Sequence, residues 1–325
     1  MPTLAPTPRD TIQQDGAAKL YRFRRGNEDA RGGRESAADP ILLVPSLINR
    51  WYVLDLREGV SLASSLVDRG LDVWCLDWGA PGDEDRYLTW DDVVAKLARA
   101  LRKVRRETGA AKVGMLGYCI GGTLAGIQAA LDPDAISAFV NLAGPFDFSE
   151  GGHLAHMTNP RWFDVDAVAD AGNVSAQQMQ SGFQMLRPTL SISKWVNLFD
   201  RWNDPAFREA FDALETWSND NISFPAAAYR TYIRELYQEN RLVKGEHRVA
   251  GRRVDLGAIT CPVLTIATEK DTICPPLAAR ALHERCGSRD KEMLVVPGGH
   301  VGAVVGSKAA HNLYPAIGKW LEDRL

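Results

Sequence analysis

The chain has 325 residues, 45% of them hydrophobic and 24% charged, a balance that excludes a disordered or fibrous protein and leaves room for one large core with an elaborated insertion. Its 38 Lys and Arg stand against 41 Asp and Glu for a formal net charge of -3, so no basic footprint for nucleic acid or an anionic membrane surface arises. No apolar run approaches the roughly 20 residues that cross a bilayer, and the opening MPTLAPTPRDTIQQDG lacks a charged-then-apolar secretory pattern, which points to the cytoplasm.

Residues 1–40 are polar and rich in Arg, Gly, Asp and Pro, and predict an irregular arm or an edge hairpin. Apolar runs of strand length then recur at Ile41 to Val44, Leu71 to Trp78, Lys112 to Leu116, Ala135 to Leu142, Val263 to Ala267 and Met293 to Val296. Stretches of helical spacing at Ser61 to Asp68, Trp90 to Glu107 and Thr123 to Leu131 lie between them. Such alternation predicts an α/β fold, a mostly parallel doubly wound sheet with helices on both faces. The pattern breaks over residues 147–255, where Trp162, Trp195, Trp202, Trp217, Phe183, Phe199, Phe207 and Phe211 sit among amphipathic pieces without a clear strand. This reads as a mostly helical cap inserted between a core of 41–146 and its continuation over 256–325, its aromatics forming a small core of their own.

The run KVGMLG leads into Gly117-Tyr118-Cys119-Ile120-Gly121-Gly122 and then the helical TLAGIQAAL. A G-x-C-x-G turn between an apolar strand and an amphipathic helix is a nucleophile elbow with sulfur in place of oxygen, and Gly117 and Gly121 let strand and helix pass closely. Free thiols are mostly protonated at neutral pH, so Cys119 needs a helix N-terminus and a base beside it. The backbone N–H of Ile120 lies where an oxyanion donor is required, and a second donor is expected from the loop after the first core strand, at Ser46 or Leu47.

On such a sheet the acid follows one late strand and the histidine the next. Asp271, in ATEKDTICPP, and His300, in VPGGHVG, satisfy that order. Asp77 stands before the nucleophile, and Asp147 occupies an alternative acid position. His153 and His156 share one helical face but have no third ligand, so no metal is expected. The five cysteines form an odd set without a C-x-x-C pair and read as reduced thiols. Cys75 reads as inert core, Cys274 as a neighbour of the acid loop, and Cys261 and Cys286 as structural.

The elements LLVPSLINRWYVLDL, LDVWCLDWG, GYCIGGT, FQMLRP, YQENRLVKGE, GRRVDL, EKDTICPP and GGHVG, spread from Ile41 to Leu325, resemble those of the polyhydroxyalkanoate synthases, most closely the short catalytic subunit of the class III and class IV enzymes. The resemblance implies an α/β-hydrolase fold and an acyltransferase that polymerises (R)-3-hydroxyacyl-CoA, with short-chain monomers favoured, into a polyester, releasing CoA and using no cofactor. It implies that Cys119 carries the growing chain, with Asp271 and His300 completing the site. It further implies a homodimer, a small non-catalytic second subunit, and residence in the cytoplasm at the surface of polyester granules. Thr272 departs from the His that often follows the acid in that family, and the segment ahead of the first core strand is shorter than usual. Two other readings remain: a Cys-dependent hydrolase of the dienelactone-hydrolase type, which would be shorter and without a large cap, and a catalytically silent granule-binding protein.

Overall fold

The computed structural model describes residues 3–26, 38–186 and 198–325. Its main sheet has eight strands: β1 (Arg9–Asp15), β2 (Ala18–Phe23), β3 (Ile41–Val44), β4 (Val73–Asp77), β5 (Val113–Tyr118), β6 (Ile136–Leu142), β7 (Val263–Thr268) and β8 (Lys291–Val296), in the order β1-β2-β4-β3-β5-β6-β7-β8. From β4 to β8 every pairing is parallel. The central strands β3, β5 and β7 are buried on both faces, which is why they read as unbroken apolar runs.

The irregular arm or edge hairpin expected over residues 1–40 takes the hairpin form at residues 9–23, where β1 pairs antiparallel with β2 and β2 antiparallel with β4. The sequence signal there is weak because β1, RDTIQQD, has no buried residue and its ladder hydrogen bonds rather than an apolar face hold it. Part of the Arg- and Gly-rich stretch after it, residues 27–37, lies outside the described residues.

Helices α1 (Leu62–Asp68), α2 (Trp90–Thr108) and α3 (Ile120–Leu131) follow β3, β4 and β5 in turn. The nineteen-residue α2 starts at a Thr89/Asp92 capping box and stops at Gly109, whose φ of 74° only a glycine adopts without strain. α3 packs on β5 and β6 and is buried from Ile120 to Ala130.

Between β6 and β7 lies the insert, with α4 (Gly152–Met157), α5 (Val165–Asp170), α6 (Ala176–Leu186), α7 (Pro205–Asn219) and α8 (Ala226–Thr231), the last running into a π-helical turn at Tyr232–Gln238. It is fastened to the core after β3: Asp220 accepts from Arg50 Nε at 3.0 Å and from Tyr52 Oη at 2.8 Å, and Trp217 Nε1 donates to the Arg50 carbonyl at 3.0 Å. Of the aromatics expected to form its core, Trp217 is buried, whereas Trp162, Trp202 and Phe199 are 56%, 55% and 83% exposed. Trp195 and the Phe183 side chain lie outside the described residues. Beside Trp217, the described residues of the insert bury Phe148, Phe224, Tyr229, Tyr232 and Tyr237.

After β7 comes α9 (Pro276–Arg285), packed on β7 and β8, and the chain closes with α10 (Gly302–Val305) and α11 (Tyr314–Glu322), the latter against α1.

Candidate active site

Cys119 stands between the last residue of β5 and the first of α3 with φ 56° and ψ -129°. That left-handed backbone is costly for a residue with a Cβ and survives only where the surroundings enforce it. Two glycines do so. A Cβ on Gly117 would come within 2.3 Å of the Gly121 carbonyl oxygen, and one on Gly121 within 2.1 Å of the Val44 carbonyl oxygen. The start of α3 is thus pressed against the strand that precedes it and against the end of β3. Ile120 is the first residue of the helix, so its N–H has no intrahelical acceptor, and the partial positive charge of the helix start falls beside the sulfur.

The loops after β7 and β8 bring Asp271 and His300 together. Nδ1 of His300 lies 2.7 Å from Oδ2 of Asp271. The same carboxylate oxygen accepts from Thr268 Oγ1 at 3.0 Å, while Oδ1 accepts the backbone N–H groups of Ile273 and Cys274, each at 2.8 Å. Both carboxylate oxygens are therefore doubly engaged and the carboxyl group is locked in place. Burial works to raise the Asp271 pKa, but the charge and hydrogen bond of His300 with the two backbone donors prevail and hold it below the usual carboxylate value.

Burial likewise disfavours a charged His300 ring. The negative charges of Cys119 and Asp271, with the hydrogen bonds to them, outweigh it and push the ring up to about 10. Nε2 of His300 is buried without a hydrogen-bond partner, although Cys119 acts on the ring by charge and as a hydrogen-bonding group. We take the Nε2–sulfur hydrogen bond as unformed in this resting geometry, since catalytic hydrogen bonds commonly tighten only when substrate is present. The Tyr118 ring stacks on His300 with centroids 5.4 Å apart and its hydroxyl reaches the His300 carbonyl, so the imidazole is clamped on a second side.

Cys119 and Ile120 form part of the floor of a cavity of about 310 Å³ whose roof is the insert, through Leu154, Met157, Phe163, Met179, Phe224 and Tyr232 among others. Its lining is predominantly apolar, a setting that excludes water and strengthens electrostatic interactions near the sulfur. Of the loop expected to supply the second oxyanion donor, Ile48 lines the cavity. Ser46 and Leu47 are buried and do not line it, with Ser46 Oγ unpartnered.

The competing residues are placed elsewhere. Asp77 accepts from Tyr21 and Gly79, and Asp147 from Ser149 and Asn240. His153 and His156 are exposed, the latter against Trp162, and no cluster of three metal-binding side chains occurs among the described residues. Cys274, beside the acid in sequence, is sealed among Ala267, Ala278 and Ala279. The residues that sequence reasoning missed are Tyr229, Tyr232 and Tyr237; the helical spacing of PAAAYRTYIRELY carried the signal of a buried face, though not what that face covers.

Burial raises the thiols of Cys75, Cys274, Cys261 and Cys286, the Cys261 thiol to about 12. Cys119 alone has a helix N-terminus and an imidazole beside it. Iodoacetamide at neutral pH is therefore expected to modify Cys119 first, although Cys261 is the more exposed thiol. Peptide mapping that finds Cys261 alkylated first would show exposure, not activation, in control.

Residues 39–307 match the α/β-hydrolase fold family. The chain is 35% identical over 323 residues to the poly(3-hydroxyalkanoate) polymerase subunit PhaC of Allochromatium vinosum, covering 98% of this chain and 89% of that protein. It is 33% identical to the protein of the same name from Synechocystis, covering 98% and 85%. Among solved structures, a soluble variant of monoglyceride lipase from Saccharomyces cerevisiae superposes with a TM-score of 0.59 at 15% identity, covering 99% of each chain. A lipase-like protein from Sulfolobus solfataricus gives 0.61 at 13%, covering 98% and 99%. At those identities the structural likeness speaks for the fold.

Proposed function

The chain belongs to the poly(3-hydroxyalkanoate) polymerase family, acyltransferases on the α/β-hydrolase fold, and from that premise we propose that it polymerises (R)-3-hydroxyacyl-CoA through an acyl group carried on Cys119, with release of CoA. The observation that carries this reading is the placement of Cys119 on a strained elbow at the floor of an apolar, roofed cavity, with the Asp271–His300 pair beside it. The roof, residues 147–255, acts as a cap.

In acylation, Nε2 of His300 takes the thiol proton and the sulfur attacks the thioester carbonyl carbon. The oxyanion that forms is held by the Ile120 N–H and by a second backbone donor from the loop after β3, of which Ile48 lines the cavity, each such donor stabilising the transition state by about 3 kcal/mol. Collapse breaks the carbon–sulfur bond to CoA, which leaves as a thiol with the proton from His300. A thioester has been exchanged for a thioester, so the acyl group keeps its activation for the next transfer. In elongation, the 3-hydroxyl oxygen of a second acyl unit attacks the acyl-Cys119 carbonyl while His300 accepts its proton. An ester forms, the bond to Cys119 breaks, and the proton returns to the sulfur. Asp271 acts by holding the imidazole, since both of its oxygens are already engaged and it does not line the cavity.

No described helix is long and apolar enough to cross a membrane. The reading includes a homodimer, a small second subunit and work at the surface of cytoplasmic polyester granules, all drawn from the family.

The test is the fate of the acyl group. Given (R)-3-hydroxybutyryl-CoA, with and without a candidate small subunit, the protein is expected to match CoA release with ester-linked oligomer, detected by mass spectrometry. Stoichiometric free 3-hydroxybutyrate under both conditions would identify a thiol hydrolase of the dienelactone-hydrolase type instead. Unchanged CoA thioester under both would leave a silent granule-binding protein.

A further inference from the structure

The cavity over Cys119 is apolar except for a few groups, and most of those are already engaged. The Thr158 hydroxyl donates to the Leu154 carbonyl at 2.8 Å, and the Gln178 side-chain oxygen accepts from the Ser175 N–H at 2.8 Å. What remains above the sulfur is a set of phenols. Tyr229, Tyr232 and Tyr237 all line the cavity, and the last two are 6% and 8% exposed.

Tyr232 and Tyr237 are five residues apart. On an α-helix such a pair diverges to different faces. Here the segment Tyr232–Gln238 is π-helical, and its i→i+5 bonding makes residues five apart neighbours on successive turns. Their rings stand edge-on with centroids 5.4 Å apart, and Tyr237 is held from the core side by Phe148 at 4.8 Å. Tyr232 is stacked on Trp90 at 5.5 Å. The irregular turn thus places two rigid phenols in one cavity wall.

The charge on Cys119 acts on both hydroxyls and that of Asp271 on Tyr237, whereas neither acts on Tyr229. Tyr232 and Tyr237 are therefore the phenols of that cavity wall on which the charge of Cys119 acts. Burial, above all, holds both far above the ordinary phenol value, so they stay protonated donors. The two rings meet edge-on in the wall of the cavity that Cys119 lines, and a phenol that keeps its hydrogen can give it to a ligand there.

We propose that the Tyr237 hydroxyl, backed by Tyr232, binds the oxygen at the 3-position of the acyl group carried on Cys119 and so makes the site selective for 3-oxygenated acyl chains. The oxygen stands two carbons beyond the thioester carbonyl. It is a hydroxyl in the monomer and an ester oxygen in the growing chain, and in an apolar cavity either form loses free energy unless a donor meets it. A phenol serves both forms because each offers a lone pair. An unsubstituted acyl group makes no such contact and leaves the phenol unmet, which is how a buried polar group rejects an analogue lacking its partner.

This inference rests on the acyl-Cys119 reading, and its test separates the two. Single-turnover CoA release is measured with (R)-3-hydroxybutyryl-CoA and with butyryl-CoA, for the native protein, Tyr237→Phe and Tyr232→Phe. Phe keeps the ring packing and removes only the hydroxyl. Tyr237→Phe is expected to lower kcat/KM for the hydroxylated substrate at least about tenfold more than for butyryl-CoA, and Tyr232→Phe to move the same ratio in the same direction by less. Equal losses on both substrates in both variants, or no loss, would overturn the assignment while leaving the polymerase reading intact. A native protein that releases CoA from neither substrate would overturn both.

Discussion

Cys119→Ala is expected to reduce CoA release from 3-hydroxyacyl-CoA to background while the protein stays folded. The side chain is small, it sits on the elbow at the cavity floor, and the strain of its backbone is imposed by the glycines around it and not by the sulfur. Alanine tolerates that conformation no worse than cysteine, so the loss falls on chemistry. The same substitution carries a second signature. Burial opposes a charged ring and the charge of Cys119 is the largest of the effects that push it up to about 10, so in the alanine variant the ring is expected to titrate lower than in the native protein. Because the folded ring lies above its ordinary value of 6.5, its contribution to stability is complete below that pH and fades as pH climbs toward about 10. The stability difference between native and variant should therefore narrow across that window. NMR titration of the His300 imidazole with parallel denaturation curves checks both points. An unmoved imidazole in Cys119→Ala would show that sulfur is not its partner, and unchanged CoA release would remove Cys119 as nucleophile.

Asp271→Asn is expected to lower both acylation and elongation on the order of 10³- to 10⁴-fold, the scale of loss when a buried orienting carboxylate is neutralised beside a catalytic imidazole. The reason is local. One oxygen is held by the N–H groups of Ile273 and Cys274, so an asparagine would keep its carbonyl there and turn its amide nitrogen toward Nδ1 of His300. Two donors would then face each other unless the ring changed tautomer. The changed tautomer puts its proton on Nε2, where it can no longer accept one from the thiol. Rapid-quench measurement of the first CoA released and of later chain extension separates the roles. Loss of both steps in proportion fits an orienting carboxylate, whereas intact acylation with failed extension would make Asp271 the base for the monomer hydroxyl.

Much of the site was legible in the sequence because its parts are local. The elbow is a run of six residues whose glycines answer to close backbone approaches, at 2.3 Å for Gly117 and 2.1 Å for Gly121. Asp271 and His300 each follow an apolar strand, and on a parallel sheet successive loops leave the same edge. The parallel sheet, the buried character of β3, β5 and β7 and the expected order of Cys119, Asp271 and His300 follow from such near-neighbour patterns. The edge hairpin at residues 9–23 was less legible because its outer strand, β1, has no buried residue and only the short β2 buries side chains, Ala18, Leu20, Tyr21 and Phe23, against the core.

What only the tertiary structure decided is whatever depends on residues far apart meeting. Nothing in the sequence says that Asp271 has no idle lone pair, that Cys274 is sealed behind the acid loop, or that Ile48, rather than Ser46 or Leu47, reaches the cavity. In the insert, composition showed aromatics but not their allocation: Trp162, Trp202 and Phe199 face outward while Tyr232 and Tyr237 line the cavity that Cys119 also lines. The physical reason is that a π-helical turn shifts the face on which every later residue falls, and such a turn is stabilised by packing across the cavity and not by the propensities of its own residues.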